Sequence, residues 1–327
     1  MNRSKEIAMR ILLATDGSRA ADQARDLVAA LPWREGGRVR IVSVAPTRTD
    51  LLGVPWVVDV QPDADRIEEE ALRVHRDALE TAEREIRSAR SDVVIEPVLV
   101  RGRAASAIVD EARSMPADLI VVGHRGHGRW ESMLLGSVSS EVVDHAPCPV
   151  LVARDERLGP VVFADDGSPS ARHAEAVLTS WPLFTGLPVT VLTVAEEHSP
   201  GGSALTPLLY PEAMAQYIES THELEESRRA ENEAAAARLR SGGFDVTPLV
   251  RQGDPAHEIV AEARAREAGL IVVGTRGQSG LQRLILGSVA RNVLLHAPCS
   301  VLIVRPTPPP AERNNPEDES DLVAAGR

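Results

Sequence analysis

The stretch LIVVGHRGHGRWESMLLGS occupies residues 119–137, and LIVVGTRGQSGLQRLILGS occupies residues 270–288. Each begins with an apolar run typical of a buried strand and continues with Gly-x2-Gly, nine residues and Gly-Ser. Such a spacing after a strand predicts either a set of tight turns or a loop whose backbone approaches a ligand closely. Its recurrence indicates that the chain contains one domain twice.

Other segments recur in the same order in both halves of the chain. They are RILLATDGS (10–18) with PVVFADDGS (160–168), RIVSVA (40–45) with TVLTVA (190–195), and HAPC at 145–148 and again at 296–299. An ordered series of matches indicates a duplicated domain. We therefore predict one domain over residues 1–154 and a second over 160–305. Residues 306–327 are rich in proline and then in acidic residues, which predicts a disordered tail.

Composition and charge limit the classes of protein to which this chain can belong. Its 327 residues fit about two domains, and 43% hydrophobic with 26% charged residues is typical of globular domains. A formal net charge of −12 argues against nucleic acid and membrane surfaces as partners, because both attract basic proteins. No apolar run approaches the roughly 18 residues of a transmembrane helix, and the N-terminus lacks a signal-peptide pattern. We expect a cytoplasmic protein.

Short apolar runs alternate with helical patterns in each half. In the first half we predict strands near 10–15, 38–44, 93–99, 118–122 and 149–153, and helices near 19–31, 64–90, 104–114 and 137–145. Strands that alternate with helices form parallel sheets covered on both faces. The predicted fold class is α/β, with two tandem Rossmann-like domains that each contain a five-stranded parallel sheet. The apolar fifth strands, at 149–153 and 300–304, are expected to pair within the chain.

Two loops of each domain are expected to meet at one edge of the sheet. If the strand order is 3-2-1-4-5, strands one and four are neighbours where the order reverses, which is where open α/β sheets bind ligands. The loop after strand one is ATDGS (14–18) in domain 1 and ADDGS (164–168) in domain 2. The loop after strand four is the glycine motif. The sequence therefore predicts a ligand site at this edge in each domain.

The residue types in these loops suit a nucleotide. Gly123 and Gly126 lack a Cβ, so sugar and phosphates can approach the backbone, and Gly136 lets successive N–H groups face an anion. Ser137 can cap the next helix, whose N–H groups and dipole favour a phosphate. Asp16 can accept from ribose or hold a metal ion that bridges phosphates. The glycines can also be turns and the serine only a cap; the duplicated spacing favours the nucleotide.

The complete Gly-x2-Gly-x9-Gly-Ser pattern in both halves, with an aspartate after strand one and HAPC before strand five, resembles the universal stress protein family in its tandem, ATP-binding form. The resemblance spans residues 8–305. It implies a regulatory, ATP-binding stress-response protein with at most slow ATP hydrolysis. It also implies a homodimer, with a further, unidentified protein partner.

The resemblance assigns adenine to the strand-one loop and the end of strand two, ribose to the aspartate and first glycine, and phosphates to the remaining motif. In domain 1 these residues are Ala14, Thr15, Asp16, Val44, Gly123, Gly126, Gly136, Ser137, Val138 and Ser139. In domain 2 they are Ala164, Asp165, Asp166, Val194, Gly274, Gly277, Gly287, Ser288, Val289 and Ala290. Magnesium bound with ATP would be held by Asp16 and Asp166.

Arginine is the side chain expected to supply positive charge, because Lys5 is the only lysine and no Walker A motif exists. Arg125 and Arg276 occupy equivalent places in the two glycine loops, either as phosphate ligands or as solvated charges. Asp165 precedes Asp166 where domain 1 has threonine. The added carboxylate is expected to weaken nucleotide binding or to strengthen metal binding.

Two other functions fit the same loops. A weak ATPase or a nucleotidyl-transferring enzyme is one, although no nucleophile–base constellation is present. His124 and His127 suggest an acid–base pair, but the second repeat has Thr275 and Gln278 at these positions. A module for AMP or cyclic AMP is the other, because adenine recognition by strand ends has the same sequence pattern.

Overall fold

The computed structural model describes residues 9–33, 36–47, 50, 61–126, 135–196, 211–275 and 286–305. Domain 1 contains β1 (Arg10–Ala14), α1 (Arg19–Ala30), β2 (Arg38–Ala45), α2 (Gln61–Ala89), β3 (Val94–Arg101), α3 (Ala104–Ser114), β4 (Leu119–Gly123), α4 (Ser137–His145) and β5 (Val150–Ala153). Domain 2 contains β6 (Val161–Ala164), α5 (Pro169–Ser180), a 3-10 turn (Pro182–Phe184), β7 (Val189–Ala195), α6 (Pro211–Ser241), β8 (Val246–Gln252), α7 (Pro255–Ala265), β9 (Leu270–Gly274), α8 (Ser288–His296) and β10 (Ser300–Val304). The predicted tail over 306–327 lies outside the described residues.

The described strands form one sheet in the order β3-β2-β1-β4-β5-β10-β9-β6-β7-β8. Each domain therefore has the predicted order 3-2-1-4-5, with β1 and β4 parallel neighbours in domain 1 and β6 and β9 in domain 2. The predicted pairing of the fifth strands is confirmed: β5 and β10 are antiparallel, with Leu151 opposite Leu302. This ladder joins the two domains into one continuous sheet.

The sheet is buried on both faces, as continuous apolar strands require. On β1, Leu12 and Leu13 are both fully buried and belong to different sides of the sheet. Leu13 shares a core cluster with Leu27 of α1, whereas Leu12 shares one with Ile108 of α3. Both clusters extend through β5 and β10 into domain 2, so the helices of both domains cover one common sheet. No helix in the described part of the chain is long and apolar enough to cross a membrane.

Candidate functional site

A cleft with a volume of about 940 Å³ opens in domain 1 at the carboxyl ends of β1, β2 and β4, beside the first turns of α3 and α4. It lies at the edge where the sequence predicts a ligand, and its volume is in the range of cofactor sites. The structure brings every residue predicted for domain 1 to its wall: Ala14, Thr15, Asp16, Val44, Gly123, Arg125, Gly126, Gly136, Ser137, Val138 and Ser139. Their role toward a nucleotide stays a prediction.

The loop after β1 is a tight turn that fixes Asp16 at the cleft. The N–H of Ser18 donates to Oδ1 of Asp16 (3.0 Å), and Ser18 caps α1 by accepting from the N–H of Ala21 (3.3 Å). Gly17 has a φ of 76°, a conformation that favours glycine. A Cβ placed at Gly126 would lie 2.5 Å from Oδ2 of Asp16, so this second oxygen faces the glycine loop.

Gly123 is required by packing within the protein, and the ligand approach that the sequence predicts for it stays a prediction. A Cβ at this position would lie 2.6 Å from the backbone carbon and oxygen of Ala20 in the first turn of α1. At the equivalent Gly274 of domain 2, a Cβ would lie 2.8 Å from the Cβ of Ser170 and 2.9 Å from its carbonyl carbon. Both strands can therefore pass the neighbouring helix only with glycine.

The helix α4 begins at the cleft without a side-chain cap. Gly136 is the N-cap residue and Ser137 is the first residue of the helix, so the predicted capping role of Ser137 is wrong. The same correction applies in domain 2, where Gly287 is the N-cap and Ser288 follows it. A glycine cap has no oxygen to offer to the N–H groups of the first turn, and such a helix start favours an anion.

Hydrogen bonds tie the glycine motif and α4 to the end of β4. The N–H of Gly136 donates to the carbonyl of His124 (2.8 Å), which closes the loop onto the strand. The hydroxyl of Ser139 is buried and donates to the carbonyl of Gly123 (2.6 Å). The side chain of Ser139 therefore serves the fold, and only its backbone N–H is left for the role toward a phosphate that the resemblance implies.

Arg125 brings positive charge to the cleft wall. Its Nε is buried and has no hydrogen-bond partner among the described residues. The guanidinium carries a full positive charge, which favours an anion at this part of the cleft wall. The neighbouring His124 has a pKa below its usual value, because burial disfavours the imidazolium and because Arg154 and Arg125 add positive charge. The end of β4 is therefore an electropositive part of the cleft.

Domain 2 repeats the loop with one exchanged side chain. Asp165 is 7% exposed and accepts from the N–H of Gly167 (3.0 Å), the same contact that Oγ1 of Thr15 makes with Gly17 (3.3 Å). Burial raises the pKa of Asp165, and the carboxylate of Asp166 raises it further. The carboxyl group of Asp165 thus stabilises the turn after β6 by accepting the hydrogen bond from Gly167.

The other residues predicted for domain 2 lie at places equivalent to those in domain 1, as far as the structure describes them. Those described are Ala164, Asp166, Val194, Gly274, Gly287, Ser288, Val289 and Ala290. Arg276 and Gly277 lie outside the described residues.

Sequence reasoning missed a charged group on the cleft wall of domain 1. Arg103 lies at the N-cap of α3 and pairs with Glu141 of α4 (3.5 Å), and both line the cleft with Asp50 and His75. The repeat alignment sets Asp254 opposite Arg103, and Asp254 caps α7 by accepting from a backbone N–H (2.8 Å). This reversal of charge between the repeats was visible in the sequence and is the signal that reveals the position.

Two residue types that often mark catalytic or metal sites have other roles here. Among the described residues, no group of three or more histidine, cysteine, aspartate or glutamate side chains is placed to hold a metal ion. Burial raises the pKa of the thiols of Cys148 and Cys299 to about 12 each. Neither thiol is therefore a nucleophile at neutral pH. The roles of Asp16 and Asp166 toward magnesium stay predictions.

Comparison with known proteins gives one family. Residues 8–154 and residues 158–305 each match the profile of the Universal stress protein family. A universal stress protein of Mycobacterium tuberculosis is 31% identical over 218 residues, which cover 63% of this chain and 67% of that protein. A universal stress protein of Thermus aquaticus is 37% identical over 144 residues, covering 44% of this chain and 97% of that protein.

One solved structure shows the same fold. The crystal structure of a universal stress protein from Archaeoglobus fulgidus matches with a TM-score of 0.57, covering 90% of this chain and 98% of that chain. The sequence identity is 19%, so this likeness concerns the architecture alone.

Proposed function

We propose, because the chain belongs to the universal stress protein family, that each of its two domains binds one molecule of ATP. Membership of this family supports a regulatory role in stress response. In the proposal, the occupancy of the two nucleotide sites is the signal that the protein carries.

The observation that carries this proposal is the convergence of hydrogen-bond donors on one side of the cleft. The first turn of α4 begins after Gly136 without a side-chain cap, and the positively charged Arg125 lies beside Gly136 in the same wall. Both line the cleft, as does Asp16, which in this proposal accepts from a sugar hydroxyl. Donors that the protein leaves unmatched suit the phosphates of a nucleotide.

Apolar side chains in the cleft wall suit a flat aromatic base. They belong to β2, to α3 and to the residue before the cap of α4: Val42, Val44, Ala105, Ile108 and Leu135. An apolar wall beside a few directed polar groups is the usual composition of a cofactor site. A base packed there leaves the sugar near Asp16 and the phosphates near α4.

The site fits magnesium as an ion that arrives with ATP. Oδ1 of Asp16 accepts from a backbone N–H, while Oδ2 faces the glycine loop. Magnesium is commonly bound by one or two carboxylates together with phosphate oxygens and water. Asp16, and Asp166 in domain 2, would therefore hold it against the phosphates and offset part of their charge.

Binding without turnover is the proposed activity. Ser43 and His75 form a hydroxyl–imidazole pair at the cleft (3.0 Å), but the side chain of Ser43 is fully buried. A buried hydroxyl cannot attack a bound nucleotide, so this pair does not form a nucleophile site. Single-turnover incubation with ATP tests the alternative: rapid release of ADP would show a weak ATPase.

Substitution of the second motif glycine tests the proposal. Gly126→Asp places a carboxylate between Asp16 and the phosphates, and we expect it to weaken ATP binding in domain 1 about 100-fold. Isothermal titration in magnesium should show two sites in the wild type, one in Gly126→Asp or Gly277→Asp, and none in the double variant. Ser91→Asp is the matched control, because it adds the same charge at an exposed position outside the cleft. Two intact sites in Gly126→Asp would refute the assignment.

Native mass spectrometry tests the remaining parts of the proposal together. The mass of the released ligand separates ATP from AMP and cyclic AMP, and its stoichiometry gives the number of occupied sites. The mass of the assembly shows whether two chains associate, as we propose for a homodimer. A further protein partner would appear as an added mass that depends on the nucleotide.

A further inference from the structure

Two arginines cross the boundary between the domains in opposite directions. Arg305 follows β10 of domain 2, and its NH2 donates to the carbonyls of Val143 and Asp144 (2.6 Å each) in the last turn of α4. Arg154 follows β5 of domain 1, and its NH2 donates to the carbonyl of Leu294 (2.7 Å) in the last turn of α8. Each arginine thus binds the C-terminal end of a helix in the other domain.

The N-terminal ends of the same two helices form the candidate nucleotide sites. In domain 1, Gly136 is the N-cap of α4, and its N–H donates to the carbonyl of His124. The N–H of His124 in turn donates to the carbonyl of Ala153 (3.1 Å). Ala153 is the residue before Arg154. The site of domain 1 is therefore connected, through these hydrogen bonds and the adjacent peptide bond, to Arg154, which binds α8 at the site of domain 2.

Domain 2 contains the same chain of contacts. The N–H of Gly287 donates to the carbonyl of Thr275 (2.9 Å), and the N–H of Thr275 donates to the carbonyl of Val304 (3.1 Å). Val304 precedes Arg305, which holds α4 in domain 1. The connection between the sites therefore runs in both directions.

The physical effect of such a contact reaches the whole helix. A cation at the C-terminal carbonyls opposes the negative end of the helix dipole and fixes the last turn. With nine residues, α4 is short, about 13 Å, so a shift of its last turn also moves its first turn. Burial lowers the pKa of Arg154, because the charged guanidinium lies away from water at this boundary.

We infer that Arg305 is a positioning residue for the site of domain 1 and Arg154 for the site of domain 2. Each holds, from the other domain, the helix whose first turn faces the ligand, and the two sites are thereby coupled. Occupancy of one site acts on its glycine loop, then on the adjoining arginine, and then on the helix of the other site. Linkage makes this coupling equal in both directions. The ligand readout of this inference rests on the proposed nucleotide binding.

A third contact across the boundary supplies a matched control. Arg291 of α8 donates to the side chain of Asp144 (2.8 Å), so it touches the same end of α4 without binding its backbone carbonyls. Loss of Arg291 removes a cross-domain charge pair but leaves the last turn of α4 capped. Arg305 and Arg291 therefore differ in the feature that the inference requires.

The experiment measures ATP binding at one site at a time by isothermal titration. In the Gly277→Asp background only the site of domain 1 remains, and Arg305→Met should weaken ATP there three- to tenfold. In the Gly126→Asp background, Arg154→Met should weaken the site of domain 2 to a similar extent. Arg291→Met should change the site of domain 1 by less than twofold. Arg305→Lys, which keeps the charge but not the planar fork, should give an intermediate loss.

Hydrogen exchange of the full chain without nucleotide supplies a readout that does not depend on the ligand. Amides of α4 should exchange faster in Arg305→Met than in Arg291→Met, while α8 should respond to Arg154→Met. Equal effects of Arg305→Met and Arg291→Met, or unchanged exchange in α4, would overturn the inference. If the wild type bound no ATP, the proposed function would fail, and hydrogen exchange alone would still decide the positioning role.

Discussion

The loops after β1 and β6 carry different side chains in the same turn. Thr15 and Asp165 both accept a hydrogen bond from the glycine two residues later, and both are at most 7% exposed. The backbone of the turn is therefore unchanged, although one acceptor is a neutral hydroxyl and the other a carboxyl group. The two repeats therefore share the geometry of this turn but differ in the charge of its side chain.

The first turns of α3 and α7 differ both in charge and in helix capping. Asp254 caps α7, whereas Arg103 has no acceptor and makes no side-chain cap on α3. Arg103 instead lies on the cleft wall and pairs with Glu141. Because this ion pair is exposed, Arg103 can leave Glu141 for a phosphate at little cost in free energy. Domain 1 thus gives up a helix cap of about 1 kcal/mol and gains a cation at the cleft. The comparison teaches that the two sites share a scaffold but differ in the charge presented to a ligand.

The largest effect is expected where the scaffold is common to both domains. Gly123→Ala should lower the free energy of unfolding by about 3 kcal/mol, because the new Cβ meets backbone atoms of α1 that cannot move aside. Gly274→Ala should cost about 2 kcal/mol, because its contacts with Ser170, at 2.8 and 2.9 Å, are longer than those of Gly123 with Ala20. Urea unfolding measures both, and Ser91→Ala at an exposed position is the control, with a change below about 0.5 kcal/mol. An equally small effect of Gly123→Ala would show that α1 shifts to accommodate the new Cβ.

A smaller effect is expected at the exchanged caps. Arg103→Asn should stabilise the protein by about 1 kcal/mol, because asparagine can cap α3, and should weaken ATP in domain 1 about threefold. Asp254→Arg should lower stability by about 1 kcal/mol through the lost cap of α7. Thermal unfolding and titration at two salt concentrations measure these changes. If Arg103→Asn improved both stability and affinity, the arginine would have no role toward the ligand.

The smallest effect concerns the buried carboxyl group of domain 2. Because the pKa of Asp165 is raised in the folded protein, the folded state binds this proton more tightly than the unfolded state. Stability is therefore lost as the pH rises from the ordinary value of 3.8 through the raised folded value. Asp165→Asn keeps the acceptor for Gly167 and removes this loss.

The advantage of Asp165→Asn should therefore be least below pH 4 and should grow to roughly 1 kcal/mol before it levels off at higher pH. Urea unfolding across this range measures it, with Asp165→Thr as a second variant that copies domain 1. A pH-independent difference would mean that the carboxyl group is not the cause.

The fold was accessible from the sequence because its signals are local and occur twice. Apolar runs such as LIVVG predict buried parallel strands, and the repeat fixes which loops correspond. The strand order came from the resemblance to the universal stress protein family, whereas the pairing of β5 with β10 followed from two apolar strands that would otherwise be bare edges.

The structural roles of individual site residues were harder to predict from the sequence. The need for glycine at position 123 comes from the backbone of Ala20, which is distant in sequence. Helix capping at Ser137 was misplaced by one residue because the cap is defined by backbone angles that a serine after a glycine does not reveal. Arg103 and Glu141 reach the cleft from separate helices, so their meeting depends on helix packing that no motif encodes.

The antiparallel ladder between β5 and β10 has a consequence for how the protein responds to dilution. Two separate single-domain chains that met through these strands would part when their concentration fell below their dissociation constant. Here the two strands belong to one chain, so their association is unimolecular and is set by an effective concentration rather than by the number of molecules in the cell. The paired arrangement of the two domains therefore persists even when the protein is scarce.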